Sequence, residues 1–298
     1  LLSLLGAAGG LFIVPLNAFL QSRSPEGEKG GMVAASNFFQ SVGMVGAGVL
    51  SLILTVVLGL SPQAIFLVGG LIAAAASVYI FRLLPEALVR FVLWLLARTV
   101  YRIQVVGREN IPPRGPLLLV CNHVSFADGL LVLVSTHRFV RFIMEKGFSE
   151  LPILRWVLRA LQVIPITSTE GPRPLLAALR TASKALGEGH AVCIFAEGEI
   201  TRTGQMLPFK RGLQRILKSA PPETWIIPIH LDRVWGSIFS FQGRRFIWKM
   251  PRRIPYPVTV SIGKPLPPNT PLAAVRQAVG ELATEAFPLR RGAQEPLH

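Results

Sequence analysis

Long uncharged stretches fill the first third of the chain, and short apolar segments broken by polar ones fill the rest. Residues 1–20 are almost wholly apolar, residues 34–60 (AASNFFQSVGMVGAGVLSLILTVVLGL) carry no charge, and residues 62–81 stay uncharged until Arg82. A helix of about 20 apolar residues crosses the hydrocarbon core of a bilayer. Residues 1–84 are therefore expected to hold three transmembrane helices. Gly43, Gly46, Gly48, Ala74, Ala75 and Ala76 would let them pack closely. Residues 85–103 (PEALVRFVLWLLARTVYRI) open on a proline and set Arg90, Arg98 and Arg102 among leucines, Phe91 and Trp94. That pattern fits an amphipathic helix lying in the headgroup layer, and fits equally a helix packed on its own domain.

From residue 104 to 298 the pattern changes. Short β-rich runs are expected at 101–106, 117–121, 139–143, 162–166, 191–195, 225–230 and 256–262. Helical stretches at 129–135, 149–161, 172–187, 209–219 and 271–286 separate several of them. Such alternation predicts an α/β fold around a largely parallel, two-sided sheet. The proline-rich segments 250–257 and 263–271 read as turns.

Charge divides the chain at the same place. Hydrophobic residues make up 51% of the sequence, yet the net charge is +15. Residues 1–88 carry three basic and three acidic side chains, so the whole excess falls on the remainder. This excludes a disordered chain, which would be much poorer in apolar residues. Two cysteines exclude a disulfide scaffold, and Cys121 and Cys193 sit on predicted strands as small core residues. Arg23, Lys29, Arg82 and Arg90 flank the apolar runs at two ends, and the link near 59–62 has no cation. By the positive-inside rule the charged ends face the cytoplasm. The chain begins at Leu1 within an apolar run, with no basic leader or cleavage pattern, and reads as the tail of a longer membrane protein.

Chemistry gathers at two predicted strand ends. Asn122-His123-Val124-Ser125-Phe126-Ala127-Asp128 follows the run at 117–121. On a continuous helix, side chains five residues apart would point about 140° away from each other. A strand-to-helix turn would bring His123 and Asp128 together. An aspartate on one imidazole nitrogen then fixes the tautomer and leaves the other nitrogen to accept a proton. The second strand end holds Phe195-Ala196-Glu197-Gly198-Glu199-Ile200-Thr201-Arg202, and Phe209-Lys210-Arg211-Gly212 opens the next helix. Ends of neighbouring strands are where α/β sheets place ligands. No nucleophile elbow, phosphate-binding glycine loop, dinucleotide fingerprint or zinc spacing occurs, so no metal or cofactor is expected. His137, His190, His230 and His298 read as structural or exposed.

Asn-His-x-Ser-x-x-Asp, Phe-x-Glu-Gly and the strand Ile227-Pro228-Ile229, in that order over residues 104–265, resemble the glycerolipid acyltransferase family, which includes lysophosphatidic acid acyltransferases. The resemblance implies a mixed, largely parallel sheet flanked by helices. It implies that His123 deprotonates the free hydroxyl of a lysophospholipid while Asp128 orients the ring. The alkoxide then attacks the thioester of acyl-CoA or acyl carrier protein, with no covalent enzyme intermediate. Asn122, Ser125, Glu197, Gly198 and Arg211 would border the substrate, with Glu197 organising its loop. Lys146, Arg202 and Lys210 are candidate phosphate contacts.

The apolar N-terminal part narrows the likeness to bacterial fusions of a major-facilitator lysophospholipid transporter with a 2-acylglycerophosphoethanolamine acyltransferase, here N-terminally truncated. A multi-pass protein of the bacterial inner membrane, with a cytoplasmic acyltransferase domain, is the implied setting. Two departures bear on the acceptor. Many members carry an arginine after the strand at 162–166, where Thr167 and Ser168 stand here. The arginine of Glu-Gly-x-Arg is replaced by Ile200, with Arg202 two residues on. Phosphate monoesters favour bidentate arginine contacts, so the departures favour a lysophospholipid with a larger headgroup over lysophosphatidic acid. Two other readings remain: a 1-acylglycerol-3-phosphate acyltransferase, and a transport component whose second domain only binds lipid. Nucleic acid is not an expected partner, because charge alone suggests it and no recognition motif does. The positive charge instead suits anionic lipid headgroups, CoA or an acidic carrier.

Overall fold

A computed structural model of the chain describes residues 28–83, 85–150, 152–167, 171–242 and 254–287. The first expected span, at 1–20, lies outside the described residues, as does Ser168. The chain divides into two compact units, Leu1–Ile80 and Phe81–His298.

In the first unit, α1 (Lys29–Val56) and α2 (Pro62–Leu83) are long helices. The helix α1 starts five residues before the uncharged run and stops before its end. Gly59, at φ 61°, and Pro62 together break the chain there. Large apolar side chains such as Phe38, Phe39, Met44, Leu52, Phe66 and Leu71 are exposed on these helices. Gly30–Val56 has the length and hydropathy (mean 1.8) to cross a membrane, while the apolar stretch described on α2 is shorter, Pro62–Ala75. The three expected spans are thus matched by one candidate among the described residues.

In the second unit, α3 (Pro85–Val100) runs directly into β1 (Tyr101–Val106). The helix expected over 85–103 therefore ends three residues early. Tyr-Arg-Ile-Gln-Val-Val alternates in burial and pairs with β7 (Tyr256–Ile262), a period of two that a helix cannot satisfy. Seven strands form one sheet in the order β1-β7-β6-β2-β5-β3-β4. The others are β2 (Leu117–Cys121), β3 (Val140–Glu145), β4 (Ile164–Ile166), β5 (Ala191–Phe195) and β6 (Trp225–Asp232). Every pair is parallel except β6 with β7. Tyr256 and Pro257, where the expected turn at 250–257 and the expected strand at 256–262 overlap, belong to β7.

The central strand explains the two-layer cover. All five residues of β2 are buried. Leu117, Leu119 and Cys121 face one apolar cluster with α3 and α4 (Asp128–Ser135), while Leu118 and Val120 face the other. The second cluster takes in α6 (Pro172–Gly187), α7 (Gly212–Ser219) and α8 (Leu272–Glu285). A strand buried on both faces reads as a continuous apolar run, and each leucine so buried contributes about 1.5–3 kcal/mol. A short helix, α5 (Pro152–Ala160), follows a 3-10 turn at Lys146–Glu150. The turn takes the start of the helix expected at 149–161. The helix expected from 209 begins at Gly212 instead, because Phe209 is buried and the Lys210 N–H donates to the Ala196 carbonyl (2.7 Å). One face of α3 buries Val89 and Ala97, and the other exposes Val92, Trp94, Leu95 and Leu96. The helix packs on its own domain and still presents an apolar side.

Candidate active site

The strand β2 delivers Asn122 and His123 to the C-terminal edge of the sheet, and the chain turns before α4 starts at Asp128. That turn closes the five-residue gap. The His123 Nδ1 lies 2.8 Å from Asp128 Oδ2. The same oxygen accepts the N–H groups of Val124 (2.7 Å) and Ser125 (2.9 Å). Asp128 is fully buried, and the His123 side chain is 19% exposed. With Asp128 ionised, Nδ1 carries the proton and donates it, so Nε2 faces the site as a base. Phe195, the last residue of β5, stacks on the imidazole at 4.2 Å and 19°. Burial pushes the Asp128 carboxyl above its ordinary value, against the pull of His123 and the two amides.

Around this pair the structure separates bracing residues from open ones. Asn122 is buried, and its amide exchanges two hydrogen bonds with the Leu231 main chain on β6 (3.2 and 2.8 Å). It ties β2 to β6. Ser125 is also buried, and its hydroxyl accepts the Ala127 N–H (3.1 Å) inside the turn. Glu197 is buried with one oxygen accepting the His123 N–H (2.8 Å) and the other the Leu207 N–H (2.7 Å). Burial raises its carboxyl, opposed by those two donors. The Thr201 N–H donates back to the His123 carbonyl (2.9 Å). Glu197 therefore organises its loop, as its motif suggested, and holds the His123 backbone from behind.

Gly198 sits at φ 72°, and a Cβ there would meet the Lys210 side chain at 2.8 Å. The left-handed backbone at this turn favours glycine, and the Lys210 side chain lies against the space a Cβ would take. Lys210 is exposed, with its ammonium 3.7 Å from Glu199. Arg211 is exposed at the N-cap of α7, and Lys146 is exposed at the end of β3. Arg202 is exposed and lies over the Phe241 ring at 5.2 Å. Phe126 packs against both Phe148 and Phe241 at 5.7 Å. The Phe126 N–H donates to the Phe239 carbonyl (3.2 Å), beside a bridge between Ser125 and Ser240. The stack of Phe195 on the imidazole was not foreseen, whereas Phe239 and Phe241 read from sequence equally as core cover or as lipid contacts. His230, at the end of the expected run 225–230, lies within β6 opposite Ser261. Both cysteines are buried and free, with thiols raised by burial.

An imidazole base aimed by a carboxylate, at the edge of a parallel sheet and beside cations and an apolar cover, suits acyl transfer to a hydroxyl. Residues 102–232 match the family model described as Acyltransferase. The chain is 30% identical over 132 residues to a chloroplastic 1-acyl-sn-glycerol-3-phosphate acyltransferase of Arabidopsis thaliana, covering 44% of this chain and 36% of that protein. It is 29% identical over 199 residues to a 1-acyl-sn-glycerol-3-phosphate acyltransferase of Chlamydomonas reinhardtii, covering 66% of this chain and 57% of the relative. The chain thus spans less than two thirds of the length of these relatives. The crystal structure of the 1-acyl-sn-glycerophosphate (LPA) acyltransferase PlsC from Thermotoga maritima shares the fold, with a TM-score of 0.55 and 21% identity, covering 75% of this chain and 89% of that one. These matches support an enzyme of the O-acyltransferase class. Within that class they support the glycerolipid acyltransferase family.

Proposed function

We propose that the protein is a membrane-bound acyltransferase that moves a fatty acyl group from acyl-CoA or acyl carrier protein to the free hydroxyl of a lysophospholipid. The observation that carries this reading is the 2.8 Å contact between His123 and buried Asp128 at the end of β2. Nε2 takes the hydroxyl proton as the oxygen attacks the thioester carbonyl. The new C–O bond forms, the C–S bond breaks, and the proton passes from the imidazolium to the departing thiolate. General-base assistance of this kind contributes about 10²–10⁴ in rate. Lys210, Arg202, Arg211 and Lys146 ring the same sheet edge and supply cations for the phosphate.

The acceptor is a lysophospholipid with a larger headgroup. Ile200 and Thr167 stand where the family carries arginines, and Thr167 is buried with no charge to offer. A second reading, a 1-acylglycerol-3-phosphate acyltransferase, draws on the activity for which the relatives are named. A multi-pass placement in a bacterial inner membrane, with the domain cytoplasmic, rests on the apolar helices and the loop charges. The fusion with a transporter rests on those helices alone. Transfer of a labelled acyl group to lysophosphatidylethanolamine and to lysophosphatidic acid separates the acceptors. Transfer that persists at full rate in His123→Ala would overturn the mechanism.

A further inference from the structure

Two of the three helices covering the sheet face opposite α3 and α4, α6 and α7, carry cations and no acids, whereas α8 carries Glu281 and Glu285 beside Arg276. On α6 the cations are Arg173, Arg180 and Lys184, spaced by seven and four residues. At the cap and along α7 they are Arg211, Arg215 and Lys218, spaced by four and three. Both spacings return to one side of a helix, and all six residues are exposed. Neither helix contains an Asp or Glu. None of the six has an ion-pair partner among the described residues. The next acid along the chain, Glu188, is turned toward Arg141 (3.6 Å) and His190 (3.5 Å).

The two stripes belong to one firm surface. The Ser183 hydroxyl on α6 donates to the Ile216 carbonyl on α7 (2.9 Å), and a Cβ on Gly212 would touch Leu179. An open groove of about 630 Å³ lies between the helix ends, lined in part by Arg180, Lys184 and Ser219 and by Glu188. Topology sets where the stripes begin. The helix α6 follows β4 and α7 follows the turn after β5, so Arg173 and Arg211 lie at the sheet edge that holds His123 and Glu197.

This face is not built to enter lipid. Among the described residues of α6 and α7 no large apolar side chain is exposed. Exposed apolar groups lie instead on the opposite layer, at Val92, Leu95 and Leu96 of α3 and Trp156 of α5. A helix that settles into headgroups interleaves cations with buried apolar residues. A row of fixed cations without them complements a row of carboxylates on a protein.

We propose that the α6/α7 face docks an acidic acyl carrier protein, so that the thioester arrives along the cationic stripes and reaches His123 past the first turn of α7. This rests on the acyl-transfer reading above. The test uses the full chain in phosphatidylcholine vesicles, with Arg180→Glu, Lys184→Glu and Arg215→Glu combined and the matching glutamine triple as a milder variant. Palmitoyl thioesters of an acidic carrier protein and of CoA are compared as donors, and binding of the unacylated carrier is measured separately. Charge reversal is expected to lower kcat/KM for the carrier thioester by about tenfold or more, mainly through KM, and to abolish carrier binding. The CoA thioester should change by no more than about twofold, and the glutamine triple should fall between the two. Unchanged carrier kinetics and binding would overturn the proposal, and so would an equal loss with both donors. Lost partition into phosphatidylglycerol vesicles with intact carrier binding would give the face to lipid instead. Should wild type transfer from neither donor, the acyl-transfer reading fails, and carrier binding alone still judges the surface.

Discussion

Two adjacent strand ends use a buried carboxylate in opposite ways. After β2, Asp128 gathers three donors on one oxygen: the imidazole and two amides of its own turn. After β5, Glu197 divides its oxygens between His123 and Leu207, ten residues further on from itself. A carboxylate whose donors come from one turn aims a side chain. One whose donors come from separate segments fixes those segments to each other. Burial raises both carboxyls, so the shift alone would not distinguish the roles. The origin of the donors does.

Substitutions break this comparison in graded steps. His123→Ala should cost about 10⁴ in kcat, the upper end for a general base. The fold should survive, because its main chain keeps the bonds to Glu197 and Thr201. A thermal melt beside an acyl-transfer assay checks both. Asp128→Asn keeps the size but loses the charge that fixes the tautomer, and should cost about 10²–10⁴ in kcat, no more than His123→Ala. Glu197→Gln turns one acceptor into a donor facing an amide N–H, and should cost about 1–3 kcal/mol of stability. Its effect on kcat should be the smaller one, read in the fraction that remains folded.

That variant also has a pH signature. The folded carboxyl of Glu197 lies above its unfolded value of about 4.3, so the folded state holds more protons between the two values. Stability from this group is therefore greatest below that window and falls as pH rises through the raised value. The gap in Tm between wild type and Glu197→Gln should widen as pH falls through the raised carboxyl value. A gap that narrows would contradict the raised carboxyl. The smallest effect is expected for Phe195→Leu, which removes the ring under His123 and should cost about 0.5–1.5 kcal/mol.

Much of this was legible in the chain. The strands β1, β2, β5 and β7 and the helix α6 fall on the expected residues, because β2 and β5 are uninterrupted apolar runs, β1 and β7 are rich in β-branched residues, and α6 is bounded by proline and glycine. His123 and Asp128 were readable because five residues join them. What stayed hidden depends on distant pairings. Asn122 is taken by Leu231, 109 residues away, and Glu197 by His123, 74 residues away. Neither partner is a side chain, so composition carries no trace of it. The start of β1 was hard to place for another reason: the residues 101–103 suit the helix before them as well as the strand they join.

The central claim, that Asp128 acts through His123, is tested most directly by a double-mutant cycle on kcat/KM for acyl transfer. The double variant His123→Ala/Asp128→Asn should lose nearly the same activity as His123→Ala alone, since residues acting as one unit are strongly non-additive. A double variant that falls by the product of the two single losses would contradict it.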